Sequence, residues 1–187
     1  MKNKYFDSKV IGIDLGGTKI SAGIVESGKV LKSITRELPE NHPDDSIMLI
    51  VDFIIETIEE IFSDGIKGIG IGIPSVVDRK NGIIYDVQNI ASWKDKKIPL
   101  KELLEKKFNI KVFIDNDANC FALGEKLFGK GIKYNNFVGL TIGTGIGGGI
   151  INKGKLLADA HCGSGEFGEM YYLDARVEDY CSSLFFK

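Results

Sequence analysis

Apolar and polar residues alternate at the start of the chain with a period near 2. In VIGIDLGGTKISAGIV, residues 10–25, an apolar run meets a small knot of glycine and threonine, and Ile20, Ala22, Ile24 and Val25 resume the alternation beyond Lys19. This predicts two paired strands with the glycines in the turn, not a strand followed by a helix. Val30 to Ile34, after a Ser27-Gly28 turn, extends the same antiparallel sheet. The period then changes. Ile47, Ile50, Val51, Ile54, Ile55, Ile58, Ile61 and Phe62 form one helical stripe, which Asp44, Asp45 or Ser46 can cap and Gly65 ends. In IKGIGIGIP, residues 66–74, bulky Ile69, Ile71 and Ile73 alternate with Gly68, Gly70 and Gly72, predicting a strand whose bare face admits a helix or a ligand.

Residues 79–98 read as a polar loop region holding the single Trp93. A short helix follows, with Pro99 in its first turn and Leu100, Leu103, Leu104 and Phe108 inward. Ile110 to Ile114 is a compact buried strand that runs into DNDAN, residues 115–119. There Asp115 or Asn116 can cap a helix carrying Ala118, Phe121, Ala122 and Leu127 or Phe128. VGLTIGTGIGGGII, residues 138–151, then repeats the design of the first hairpin. The order is that of an α/β protein, with a domain boundary near residue 115 that separates 1–115 from 116–187.

Composition narrows the function classes. The 187 residues are 43% hydrophobic with net charge −2, enough for one ordinary core or two small ones. No apolar run approaches the roughly 18 residues of a membrane helix, so no membrane association is expected. The amino-terminal MKNKYFDSKV carries no apolar signal core, which predicts a cytoplasmic protein. Cys120, Cys162 and Cys181 are odd in number and widely spaced, the pattern of free thiols. The basic run Lys94 to Lys97, broken by Asp95, reads as a solvated loop, and nothing else supports binding to nucleic acid.

The glycine turns carry the chemistry. Neither has the spacing of a P-loop or of a dinucleotide fingerprint, and neither opens a helix. Backbone N–H groups in such a turn bind anions, and the missing Cβ atoms let a phosphate come close, with hydroxyls at Thr18 and Thr144 beside them. Each turn alone is equally compatible with an ordinary hairpin. Two such turns together, each with a threonine, favour a pair of jaws on one phosphate chain.

Five motifs, IDLGGTK at 13–19, GIGIP at 70–74, DNDAN at 115–119, TIGTGIGGGI at 141–150 and GEFGE at 165–169, resemble those of the ROK family of sugar kinases and regulators, in the same order along almost the whole chain. The resemblance implies an actin-like ATPase (ribonuclease H-like) fold with two related domains, the second incomplete here, each contributing one phosphate hairpin. It also implies an ATP-dependent kinase acting on a hydroxyl of a hexose or N-acetylhexosamine, with ATP and Mg2+ as cofactors. Asp117, at a helix start where the macrodipole favours a carboxylate, matches the family's general base. Asn89, Asn116, Glu166 and Glu178 match sugar ligands, and amides and carboxylates suit pairs of neighbouring hydroxyls. Asp14 would hold magnesium, directly or through water. Gly16, Gly17, Thr18, Lys19, Thr144 and Gly145 would contact phosphates, with Lys19 equally readable as a surface lysine opening a strand. A small-molecule sugar is the expected partner, and the family's habits admit a homodimer.

Two departures qualify the resemblance. Glu169 stands where the family's signature has a histidine that binds sugar and a structural zinc, and no cysteine cluster follows it, so no structural zinc is expected. Glu169 can accept from a sugar hydroxyl or stand as a solvated carboxylate. The chain also stops at SSLFFK, where family members continue for about a hundred residues that cradle the adenosine, and adjacent Phe185 and Phe186 look like a core helix cut short. A non-catalytic sugar-binding or regulatory module, or an inactive truncated remnant, is the competing expectation.

Overall fold

A computed structural model describes residues 8–85, 87–157 and 165–186. It divides into two compact units, 1–115 and 116–187. The predicted free thiol Cys162 lies outside the described residues.

In the first unit, β1 (Val10–Leu15), β2 (Lys19–Glu26) and β3 (Lys29–Glu37) form the expected antiparallel meander. Ser27 and Gly28 connect β2 to β3 with φ of 51° and 75°, the left-handed pair of a tight hairpin turn. Ile11, Ile13, Leu15, Ile20, Ala22 and Ile24 are buried on these strands. Helix α1 (Met48–Ile61) lays Ile50, Val51, Ile54, Thr57, Ile58 and Ile61 into that core. Its ends differ from expectation. Ile47 occupies the N-cap with no side-chain bond to the helix, while the Ser46 hydroxyl accepts from the Met48 amide at 3.2 Å. The helix closes at Phe62, before Gly65, because Phe62 turns extended at ψ 136°.

β4 (Gly68–Ile73) pairs parallel to β1 and completes a sheet of order β3-β2-β1-β4-β8 with β8 (Lys111–Asn116). Ile69, Ile71 and Ile73 are buried, whereas a side chain at Gly70 would enter open space. β8 is not uniformly buried: Val112 and Ile114 point into the core and Phe113 is 68% exposed, the alternation of a strand with one face outward. The predicted polar loop is a small antiparallel sheet of β5 (Val76–Asp78), β6 (Ile83–Tyr85) and β7 (Lys97–Ile98). Trp93 is fully buried and donates its indole N–H to the Ile47 carbonyl at 3.0 Å. Lys96 is no free surface charge either, because its ammonium donates to the carbonyls of Pro43 and Asp45. Helix α2 (Leu100–Phe108) starts just after Pro99 and buries Leu100 and Leu104.

The second unit begins with α3 (Asp117–Phe128), followed by β9 (Phe137–Ile142), β10 (Ile146–Asn152) and β11 (Lys155–Leu157) in one antiparallel sheet. α3 packs on this sheet through Ala118 and Ala122. The larger Phe121, Leu127 and Phe128, expected to accompany them, are 43%, 42% and 50% exposed. The reason is close approach: a Cβ on Gly149 would lie 2.5 Å from the Ala122 Cβ and 2.6 Å from the Ala118 carbonyl oxygen. Only small residues fit between helix and strand. β12 (Tyr171–Tyr172) and β13 (Ala175–Arg176) make a short hairpin leading into α4 (Val177–Cys181), after which a single 3-10 turn spans Ser183–Phe186.

Candidate active site

The first unit places six of the singled-out residues on two neighbouring segments. Asp14 is exposed at the end of β1, in register with Ser21 on β2 and with Gly72 on β4. Beyond it the turn Gly16–Thr18 is closed by the Gly16 amide donating to the Lys19 carbonyl at 2.9 Å, and the Leu38 amide donates to the Thr18 carbonyl at 2.8 Å. Among the described residues, the amides of Gly17 and Thr18 carry no hydrogen bond. Thr18 and Lys19 are exposed. A Cβ on Gly17 would lie 2.6 Å from the Asn89 Cβ and 2.9 Å from its carbonyl oxygen. The glycine therefore lets the loop that carries Asn89 rest directly on the turn, and Asn89, far away in sequence, joins the hairpin.

In the second unit the local sequence at DNDAN explains the geometry. β8 ends in an extended Asn116 (φ −61°, ψ 143°), whose side-chain oxygen accepts from the amides of Ala118 at 2.9 Å and Asn119 at 3.3 Å. That is an N-cap, and it commits the Asn116 oxygen to the helix. Asp117 is the first residue of α3, and its Oδ1 also accepts from the Ala118 amide, at 2.8 Å. Upstream, Asp115 pairs with Arg79 at 2.8 Å within the first unit. Each of the three consecutive polar residues thus has a distinct setting.

The second glycine turn, Gly143–Gly145, is closed by the Gly143 amide donating to the Gly145 carbonyl at 2.9 Å, and the Ser183 amide donates to the Gly143 carbonyl at 2.8 Å. Among the described residues, the amides of Thr144 and Gly145 carry no hydrogen bond. Glu178, on α4, reaches this turn: its Oε2 accepts from the Ile146 amide at 3.3 Å and occupies the space where a Cβ on Gly145 would come within 2.7 Å. Gly147, Gly148 and Gly149 are not part of the turn. They lie in β10, where bare backbone makes room for neighbouring segments.

Glu166 stands in the same group of acids. Partial burial pushes its carboxyl above the ordinary range, and the charges of Glu169, Asp117 and Glu178 push it further in the same direction. Glu169 is exposed, and its Oε1 accepts from the Arg176 guanidinium at 2.9 Å. Neither Arg176 as a partner of Glu169 nor the Arg79 pair with Asp115 was legible beforehand, because an isolated arginine carries no spacing signature for a distant carboxylate. Among the described residues, no group of three or more histidine, cysteine, aspartate or glutamate side chains is arranged to hold a metal ion.

Residues 10–183 match the ROK family. The chain belongs to it. A glucokinase of Thermotoga maritima is 47% identical over 153 residues, covering 80% of this chain and 46% of that relative. An N-acetyl-D-glucosamine kinase of Escherichia coli O127:H6 is 38% identical over 161 residues, covering 85% of this chain and 51% of that relative. In three dimensions the chain is similar to a ROK family glucokinase from Streptomyces griseus in complex with glucose and AMPPNP, with a TM-score of 0.80, 32% identity, and coverage of 94% of this chain and 57% of that one. The fold is therefore the actin-like ATPase fold of ROK sugar kinases, and the chain spans about half the length of the curated relatives it matches. No helix among the described residues is long and apolar enough to cross a membrane.

Proposed function

We propose that this chain carries the sugar- and phosphate-handling residues of an ATP-dependent sugar kinase acting on a hexose or an N-acetylhexosamine. The observation that carries the reading is the pair of glycine turns, Gly16–Thr18 and Gly143–Gly145, each offering backbone amides that no protein group occupies among the described residues. The names of the relatives, glucokinase and N-acetyl-D-glucosamine kinase, support the substrate class. In this reading Asp117 accepts the proton of the attacking sugar hydroxyl. The hydroxyl oxygen forms a bond to the γ-phosphorus as the bond to the ADP oxygen breaks, giving sugar phosphate and ADP. Phosphoryl transfer needs alignment and charge neutralisation more than covalent assistance, which is what the turn amides and threonine hydroxyls supply.

Asn89, Asn116, Glu166, Glu169 and Glu178 are the proposed hydroxyl ligands. The asparagine amides donate and accept and the carboxylates accept, which suits pairs of neighbouring hydroxyls. Asp14 would hold magnesium. One exposed carboxylate opposite the bare Gly72 suits an ion that takes few protein ligands and keeps its waters and phosphate oxygens. Bound there, the ion would neutralise phosphate charge. The test is a Mg-ATP assay of the intact protein over a panel of hexoses and N-acetylhexosamines, with ADP as the readout. ADP formed only when a sugar is present is expected. Calorimetric sugar binding with no ADP from any sugar would overturn the kinase reading in favour of a sugar-binding module.

A further inference from the structure

A guanidinium stands among acids of the second unit. Arg176, the last residue of β13, places Nη1 2.9 Å from Glu169 Oε1 and 3.0 Å from Glu178 Oε1, and Nη2 3.0 Å from Asp179 Oδ1. Its Nε adds a bond to Asp179 Oδ2 at 3.2 Å. Of the three carboxylates, Glu178 is the least exposed, at 20%, and the only one that reaches the glycine turn. Its two oxygens are used differently. Oε1 faces the guanidinium, and Oε2 accepts from the Ile146 amide directly after Gly145.

We propose that Arg176 is a positioning residue that holds the Glu178 carboxylate against the Ile146 amide and thereby sets how tightly the protein binds its sugar. The first half of this inference is geometric; the second rests on the reading of Glu178 as a sugar ligand. Two physical arguments carry it. A planar guanidinium with several donors fixes the orientation of a carboxylate, which an ammonium does not. The carboxylates of Glu169 and Asp179 share the guanidinium with Glu178, and Glu166 stands close enough to feel its charge, so without Arg176 the favoured course for the Glu178 side chain is away from the group. The pair is partly exposed, so its value lies in orientation more than in stability.

The experiment uses the intact protein and reads two quantities. In amide NMR spectra, Arg176→Met and Glu178→Gln are both expected to move the Ile146 resonance, and Arg176→Lys to move it less than Arg176→Met. In kinetics, Arg176→Met is expected to raise the sugar KM about tenfold, within the coupling range of charged residues in contact, with the ATP KM unchanged. The double variant Arg176→Met/Glu178→Gln should be no worse than Glu178→Gln alone. An unmoved Ile146 resonance in a folded Arg176→Met protein overturns the proposal, and so do additive KM effects. Failure of the kinase reading looks different: the wild-type protein then forms no ADP with any sugar, while the Ile146 resonance still decides whether Arg176 holds Glu178.

Discussion

The two glycine hairpins share a sequence pattern but not a means of support. In the first, the strand residues that flank the turn are bulky, with Leu15 and Ile20 both fully buried, and the strand glycines Gly12 and Gly23 pair with each other further along the hairpin. Its turn is braced by a loop, through the contact of Gly17 with the backbone of Asn89. In the second, the glycines run on into β10 because α3 lies on that strand through Ala118 and Ala122. Its turn is braced by a carboxylate, Glu178, at the Ile146 amide. The proposed phosphate contacts need only a few exposed amides, so the surroundings are free to differ. The acids Asp117, Glu166, Glu169 and Glu178 belong to the second hairpin's unit, and the first hairpin has Asp14.

That asymmetry assigns different failures to the two sides. The largest expected effect is in the second unit. Asp117→Asn keeps an oxygen near the Ala118 amide and the start of α3 but removes the proposed base, so kcat should fall by about two to four orders of magnitude. Steady-state rates at saturating sugar and Mg-ATP check this, and an undiminished kcat removes Asp117 from the mechanism. In the first unit, Asp14→Asn should instead raise the magnesium concentration needed for half-maximal rate.

The next effect is on stability. Gly149→Ala forces a methyl group against Ala122 and the Ala118 carbonyl, both part of a packed helix, and should cost about 1–3 kcal/mol. Gly17→Ala meets a single exposed loop residue, Asn89, at the edge of the turn and not a packed helix. It should lower the melting temperature less and raise the ATP KM more. Equal melting temperatures for the two variants would remove the distinction between a packing glycine and a turn glycine.

How much of this was legible in the sequence depended on the length and regularity of each element. The meander and α1 announce themselves through strands of 6, 8 and 9 residues and a helix of 14, and the ROK motifs mark both turns. β5, β6 and β7 escaped because two or three residues cannot establish a period, and their neighbours Arg79, Lys80, Asn81 and Lys94 dominate the stretch as polar residues. The partial exposure of Phe121, Leu127 and Phe128 escaped for a different reason. Apolar periodicity reports which residues share a helix face, but the face chosen here is set by the glycines of a strand about 30 residues further on. The roles of Gly147 to Gly149 were hidden by the same coupling. The pairing of Arg176 with Glu169 and Glu178 was invisible because it joins short elements of two to five residues, which leave no periodic signature.

The smallest effect separates two roles of one residue. Asn116 caps α3 through its side-chain oxygen and is also a proposed sugar ligand, so a single substitution by alanine confounds folding with binding. Asn116→Ala should cost about 1 kcal/mol through the lost cap. Serine is nearly as good an N-cap as asparagine, accepting the same helix amides through a shorter side chain that lacks the NH2 donors. Asn116→Ser should therefore return most of the stability measured by urea unfolding while leaving sugar affinity weakened in calorimetry. Recovery of both by serine would make Asn116 a cap alone, and the proposed contacts to sugar in this unit would then fall to Glu166, Glu169 and Glu178.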